Sequence, residues 1–188
     1  MRRLAVLWVS LLGAMSSPVL AHPGHVQAPG FAAGLVHPLV GIDHLLAMVL
    51  VAWWAQLQPG AQWWRIPLGF SAGLAAGTQM PALPGTGSWI AVSVLLLGLL
   101  ILRAAYKPRS LSVVPMAPLL ALLLALPHGM AHASVLLGSA WLPGMLCAST
   151  LLHLAGGLAG REVRAVRWPH WLAGGAATLA GVLLLAPV

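Results

Sequence analysis

The chain has 188 residues, 60% of them hydrophobic and only 6% charged, with a formal net charge of +7 and a mean hydropathy of +0.94. About a quarter of the residues in a soluble globular domain are charged, so this composition excludes that class and describes an integral membrane protein. The basic residues stand in short clusters between apolar runs, as loop charges that orient membrane spans do, which argues against a nucleic-acid-binding surface. The single cysteine, Cys147, excludes an internal disulfide and any paired-thiolate metal or redox motif, and reads as a small apolar residue inside a span.

Residues 1–21 read as a secretory signal. Arg2-Arg3 supply the positive start, Leu4 to Ala14 the short apolar stretch, and Val19-Leu20-Ala21 the small-residue cleavage site. The competing reading is an uncleaved first span, for which the apolar stretch is short against a hydrocarbon core of about 30 Å. Cleavage after Ala21 makes His22 the new terminus, and His22-Pro23-Gly24-His25 then carries an amine and two imidazoles on a Pro/Gly tether. That start suits loose capture of a divalent metal. Pro23 has no amide N–H, so chelation there rests on imidazoles and the terminal amine; the alternative is a plain disordered terminus.

Residues 22–188 read as one all-α membrane domain, a bundle of six transmembrane helices. The spans run from about Gly30 to Gln56, Ile66 to Ala82, Ser88 to Ala105, Val113 to His132, Leu142 to Gly160 and Trp171 to Val188. The first is expected to break near Pro38 and Gly41, because the ring of Pro38 frees the carbonyl of Gly34. Arg65, Arg103, Lys107, Arg109, Arg161, Arg164 and Arg167 all fall in loops on one side of this arrangement. By the positive-inside rule that side is the cytoplasm of a bacterial inner membrane, and both mature termini are periplasmic. Trp53, Trp54, Trp63, Trp64, Trp168 and Trp171 then form an inner aromatic belt, with Trp89 and Trp141 at the outer interface. Gly69, Gly73 and Gly77 repeat at four-residue spacing, which gives the second span a flat face for close backbone approach. Gly69-Phe70-Ser71-Ala72-Gly73 also matches the Gly-x-Ser-x-Gly pattern of serine hydrolases, but that elbow needs a strand-to-helix turn which this composition does not provide.

Chemistry concentrates in His37-Pro38-Leu39-Val40-Gly41-Ile42-Asp43-His44-Leu45-Leu46-Ala47-Met48. An Asp at the centre of a membrane helix costs about 2.5–3.5 kcal/mol on insertion scales, so Asp43, one of two acids in the chain, marks a functional site with a partner. At about 1.5 Å per residue, His37 lies roughly 10 Å and His44 roughly 20 Å below the outer surface. His128 and His132 share one helical face in the outer part of the fourth span, and His153 of the fifth span reaches the level of His44. His22, His25, His132, His37, His128, Asp43, His44 and His153 thus form a ladder opening outward, while His170 reads as a headgroup-level residue. Imidazole and carboxylate suit Ni²⁺, Co²⁺ or Zn²⁺ and not a soft copper(I) site, and Met48 and Met130 read as packing residues. The set points to a metal or proton pathway, with no organic cofactor and no nucleotide-binding motif.

The His37 to Met48 segment resembles the signature of the HupE/UreJ family of bacterial nickel permeases. His128-Gly129-Met130-Ala131-His132 is similar to that family's second histidine segment, and Leu152-His153 to its histidine in a later span. Where relatives continue the second segment with Gly and then Glu, this chain has Ala133-Ser134-Val135. The resemblance implies secondary uptake of Ni²⁺, or Co²⁺, for hydrogenase or urease, and no enzymatic activity; membrane lipid and the divalent ion are the expected partners, with nickel-enzyme maturation proteins and a second copy of the chain as open candidates. Two other classes fit the same residue types. One is an intramembrane hydrolase with Zn²⁺ on His44, His128 and His153 and water activated near Asp43 or Ser71. The other is a nickel-binding membrane accessory protein without net flux.

Overall fold

The computed structural model describes residues 30–60, 62–106, 116–133 and 140–186; residues 1–21, read as a signal, and the capture histidines His22 and His25 lie outside them. The described residues form seven helices and no strand: α1 (Phe31–Val40), α2 (Ile42–Gln56), α3 (Arg65–Gly77), α4 (Thr86–Tyr106), α5 (Ala117–Met130), α6 (Trp141–Glu162) and α7 (Arg167–Leu185). Helix is the natural outcome for apolar runs of this length, because a helix satisfies its own backbone hydrogen bonds where no water is present to do so. Much of the outer surface is aliphatic, with Leu158, Leu172 and Leu183 each more than 60% exposed. Cys147 also lies on this outer surface, within α6.

Three helices, α4, α6 and α7, are long and apolar enough to cross a membrane, and the bent pair α1 and α2 makes a fourth crossing if it is counted as one span. The remaining two are shorter. α3 has 13 residues and α5 has 14, so each rises about 20 Å against a hydrocarbon core of about 30 Å. α3 stops at Gly77, short of the Ala82 expected from hydropathy, and α7 starts at Arg167, ahead of the expected Trp171. α1 and α2 meet at 83° across Gly41. The break falls on Gly41, whose backbone is extended, while Pro38 stays inside α1.

Close backbone seams hold the bundle together. α3 lies along α5 with Gly69, Gly73 and Gly77 set against the carbonyls of Pro118, Leu122 and Leu126, and Gly129 returns the contact against Leu74. The regular glycine spacing therefore makes a packing face, and the hydrolase-like pattern within it is part of that face. α6 runs beside both halves of the bent pair: Gly144 abuts the carbonyl of Phe31 in α1, and Gly156 that of Val49 in α2. α4 and α7 pair through Gly98, Gly174 and Gly181. Between these pairs the core holds Met48, Val51, Trp54, Phe70, Leu74, Leu97, Ile101 and Met145, all fully buried.

The aromatic belt is only partly as expected. Trp64, Trp89, Trp168 and Trp171 are exposed, but Trp54 and Trp141 are buried. Trp54 joins the core of the bundle, and Trp141 packs against His37 and His132.

The seams give a direct test. Gly73→Ala would drive a methyl into the Leu122 backbone and is expected to cost about 1–3 kcal/mol, read as a lower unfolding midpoint of detergent-solubilised protein. Gly175→Ala in α7 meets open space and is expected to hold or slightly raise the midpoint, by up to about 1 kcal/mol.

Candidate metal centre

The site is built from helix ends. α1 carries His37 in its last turn, α2 carries Asp43 and His44 in its first, α5 carries His128 in its last, and His132 sits in the turn that follows α5. The C-terminal ends of α1 and α5 carry the negative end of the helix dipole, which favours a cation. The N-terminal end of α2 has the opposite sign, and Asp43 in its first turn offsets it.

His37, His44 and His132 each offer one ring nitrogen to a common point, with those atoms within 4.8 Å of one another. Ring centroids are 5.1 Å apart for His37 and His44, 4.4 Å for His37 and His132, and 5.3 Å for His44 and His132. A straight helix would set His37 and His44 about 10 Å apart along its axis. The bend at Gly41 folds that distance away, so His37 and His44, expected at different depths, meet beside His132.

Donor and acceptor roles follow from the partners. His44 Nδ1 lies 2.9 Å from Asp43 Oδ1, which also accepts the His44 backbone N–H at 2.7 Å. A carboxylate only accepts, so Nδ1 carries the hydrogen and Nε2 of neutral His44 presents a lone pair. That lone pair faces His132 Nε2 at 3.3 Å. Two imidazole nitrogens bound tetrahedrally to one ion at about 2.0–2.1 Å lie about 3.3 Å apart, so this pair fits a shared ion. His37 Nε2 is buried with no hydrogen-bond partner among the described residues. Asp43 stands behind His44 and orients it, the carboxylate–histidine arrangement common behind metal ligands.

His128 is placed next to the cluster and not in it. Its ring meets that of His44 edge-on at 4.8 Å, and its Nε2 lies 2.8 Å from Ser93 Oγ. The Ser93 hydroxyl donates to the carbonyl of Ile90 at 2.7 Å, so it accepts from His128 Nε2–H and leaves His128 Nδ1 as a buried acceptor without a partner among the described residues. His153 is buried farther off. Phe70 packs against both imidazoles, with centroids at 5.7 Å to His128 and 5.6 Å to His153. The trio considered for a zinc hydrolase, His44, His128 and His153, is therefore not the set whose nitrogens converge.

Three contributors carry no signal in the sequence. Trp141 walls the cluster, with centroids 5.3 Å from His37 and 4.8 Å from His132, and Ser93 and Phe70 hold His128 from two sides. Each looks like an ordinary span residue until helix packing brings it to the histidines. His170, expected at headgroup level, is instead 3% exposed and accepts a hydrogen bond from Trp53 Nε1 at 3.0 Å.

Fold and site together define an all-helical chain, apolar outside, with an inward cluster of imidazoles oriented by one carboxylate. The chain belongs to the HupE/UreJ family: the model of that family, described as HupE / UreJ protein, matches residues 9–184. It is 37% identical over 186 residues to Protein HupE of Rhizobium leguminosarum bv. viciae, covering 93% of this chain and 94% of that protein. No solved structure matches.

The Ser93 contact has a measurable consequence. Ser93→Ala leaves the His128 Nε2–H buried without an acceptor, and is expected to lower stability by about 1–3 kcal/mol, read from the unfolding midpoint in detergent.

Proposed function

We propose that the protein is a secondary permease of the bacterial inner membrane that imports Ni²⁺, with Co²⁺ as the nearest competing cargo, and so supplies maturation of hydrogenase or urease. The observation that carries this reading is the convergence of His37, His44 and His132, with Asp43 behind His44. Three imidazoles and no thiolate suit a borderline divalent ion, and helix termini beside them are how many transporters build ion sites. Family membership supports the same reading.

In this mechanism the signal is removed, six segments span the bilayer with α1 and α2 as one broken span, and both mature termini face the periplasm. Ni²⁺ captured by His22 and His25 passes to His132, His37 and His44. His128 and His153 carry it onward past Phe70. The membrane potential favours inward movement of a divalent cation by about 4.6 kcal/mol per 100 mV, so no nucleotide hydrolysis is required.

Asp43 acts through His44. A carboxylate on Nδ1 fixes the tautomer that bares Nε2 and raises its basicity, and losing such a partner weakens metal binding by about 10–100-fold. Asp43→Asn is therefore expected to weaken Ni²⁺ binding by that factor in calorimetry of purified protein, and His44→Ala to abolish uptake of radiolabelled nickel by cells. Wild-type uptake by His44→Ala at normal expression would remove the cluster from the pathway. Reconstitution in liposomes separates a permease from a nickel-binding accessory protein, since only the former accumulates the ion inside.

Metal binding needs neutral imidazoles, whose ordinary pKa is about 6.5. Protons compete with the ion for those nitrogens, so uptake is expected to fall on acidification, read as a lower initial rate of radiolabelled nickel uptake at lower external pH. An initial rate that rises on acidification would contradict histidine ligation.

A further inference from the structure

A second polar feature lies at the opposite end of α2 from the histidine cluster. A cavity of about 260 Å³ is lined by Leu57, Pro59, Ala104, Ala105, Arg164, Arg167 and His170. Two guanidinium groups and one imidazole thus meet an otherwise apolar wall, at the end of the bundle where the loop arginines gather.

The imidazole is the informative member. His170 is 3% exposed, and its Nδ1 accepts from Trp53 Nε1 at 3.0 Å. Indole N–H only donates, so the hydrogen of neutral His170 must sit on Nε2. That Nε2–H is buried without a hydrogen-bond partner among the described residues. An unpaired buried donor is costly, and such groups commonly mark a ligand position. The first turn of α7, which holds Arg167 and His170 and has no side-chain cap, adds the positive end of a helix.

The two arginines and the start of α7 favour an anion, and the rim indicates where the anion comes from. Tyr106 and Trp171, 66% and 43% exposed, pair edge-on at 6.4 Å beside the lining residues Ala105 and His170. Trp168 is exposed on the same turn of α7. Exposed Trp and Tyr are the residues that sit at the level of lipid headgroups. A basic pocket between membrane helices at that level is a recognised form of anionic-lipid site.

We infer that this cavity binds the phosphate of an anionic phospholipid headgroup, held by Arg164 and Arg167 beside the His170 ring. Planar guanidinium forks match phosphate oxygens in pairs, and the cavity has room for the phosphate and several waters. A lipid bridging the end of α6, the start of α7 and the end of α4 would tie α7 to the rest of the bundle. The inference does not depend on which ion the histidine cluster handles.

Native mass spectrometry of the detergent-purified protein tests it, with phosphatidylglycerol and phosphatidylethanolamine of matched acyl chains as probes. The wild-type chain is expected to prefer phosphatidylglycerol by about tenfold or more, from roughly 1 kcal/mol per basic residue. Arg164→Gln with Arg167→Gln is expected to bring the two lipids near parity. Arg65→Gln with Arg161→Gln removes equal charge outside the cavity and is expected to keep the preference. Equal loss in both double variants, or none in the first, overturns the site. Displacement of the lipid by millimolar inorganic phosphate would assign the cavity to a soluble anion and overturn the lipid assignment.

Discussion

The structure depends on the 83° turn at Gly41. Without it, seven residues of helix would separate the rings of His37 and His44; with it, they meet at 5.1 Å. Glycine suits the position for lack of a side chain. A Cβ there would come within 3.1 Å of Asp43 Oδ1 and 3.5 Å of His44 Nδ1, crowding the hydrogen bond that orients His44. The backbone itself needs no left-handed conformation, with φ of −89°, so the constraint is space alone.

A bent helix pair keeps its angle only if its two halves are held separately. α6 does this by lying against both α1 and α2, with Gly144 on one and Gly156 on the other. α3 and α5 form the second brace. Their seam of four glycines fixes the end of α5, and with it His128 and His132, against the core residues Leu74 and Phe70. The histidines come from three helix ends, each anchored by backbone contact and not by long side chains. Such anchoring limits how far any ring can drift from the others, and preorganisation of this kind lowers the cost of binding.

The cluster is electrically sparse. Asp43 is the one carboxylate beside it among the described residues, and it faces His44 and not the point where the ring nitrogens converge. Three imidazoles would hold a cation without cancelling its charge. Release is therefore easier than from a carboxylate cage, which suits a pathway better than a store. At the other end of the molecule the arginines and His170 make a wall of the opposite preference, so the bundle presents cation ligands at one end and anion donors at the other.

Composition by itself settled the helical class: with so few charges and such long apolar runs, only elements that satisfy their own backbone survive in lipid. The sequence also marked His37, Asp43, His44, His128 and His132, because ionisable groups in apolar runs are rare enough to stand out, and it marked the glycine seam through its spacing. Tertiary structure alone decided which of these meet. Depth along a straight helix separates His37 from His44, and only the turn at Gly41 joins them; the same packing left His153 behind Phe70 and drew Trp54, Trp141 and His170 inward. The physical reason is that one-dimensional spacing fixes height and face on a single helix, whereas convergence of groups from several helices depends on bend angles and seam contacts that no local pattern encodes.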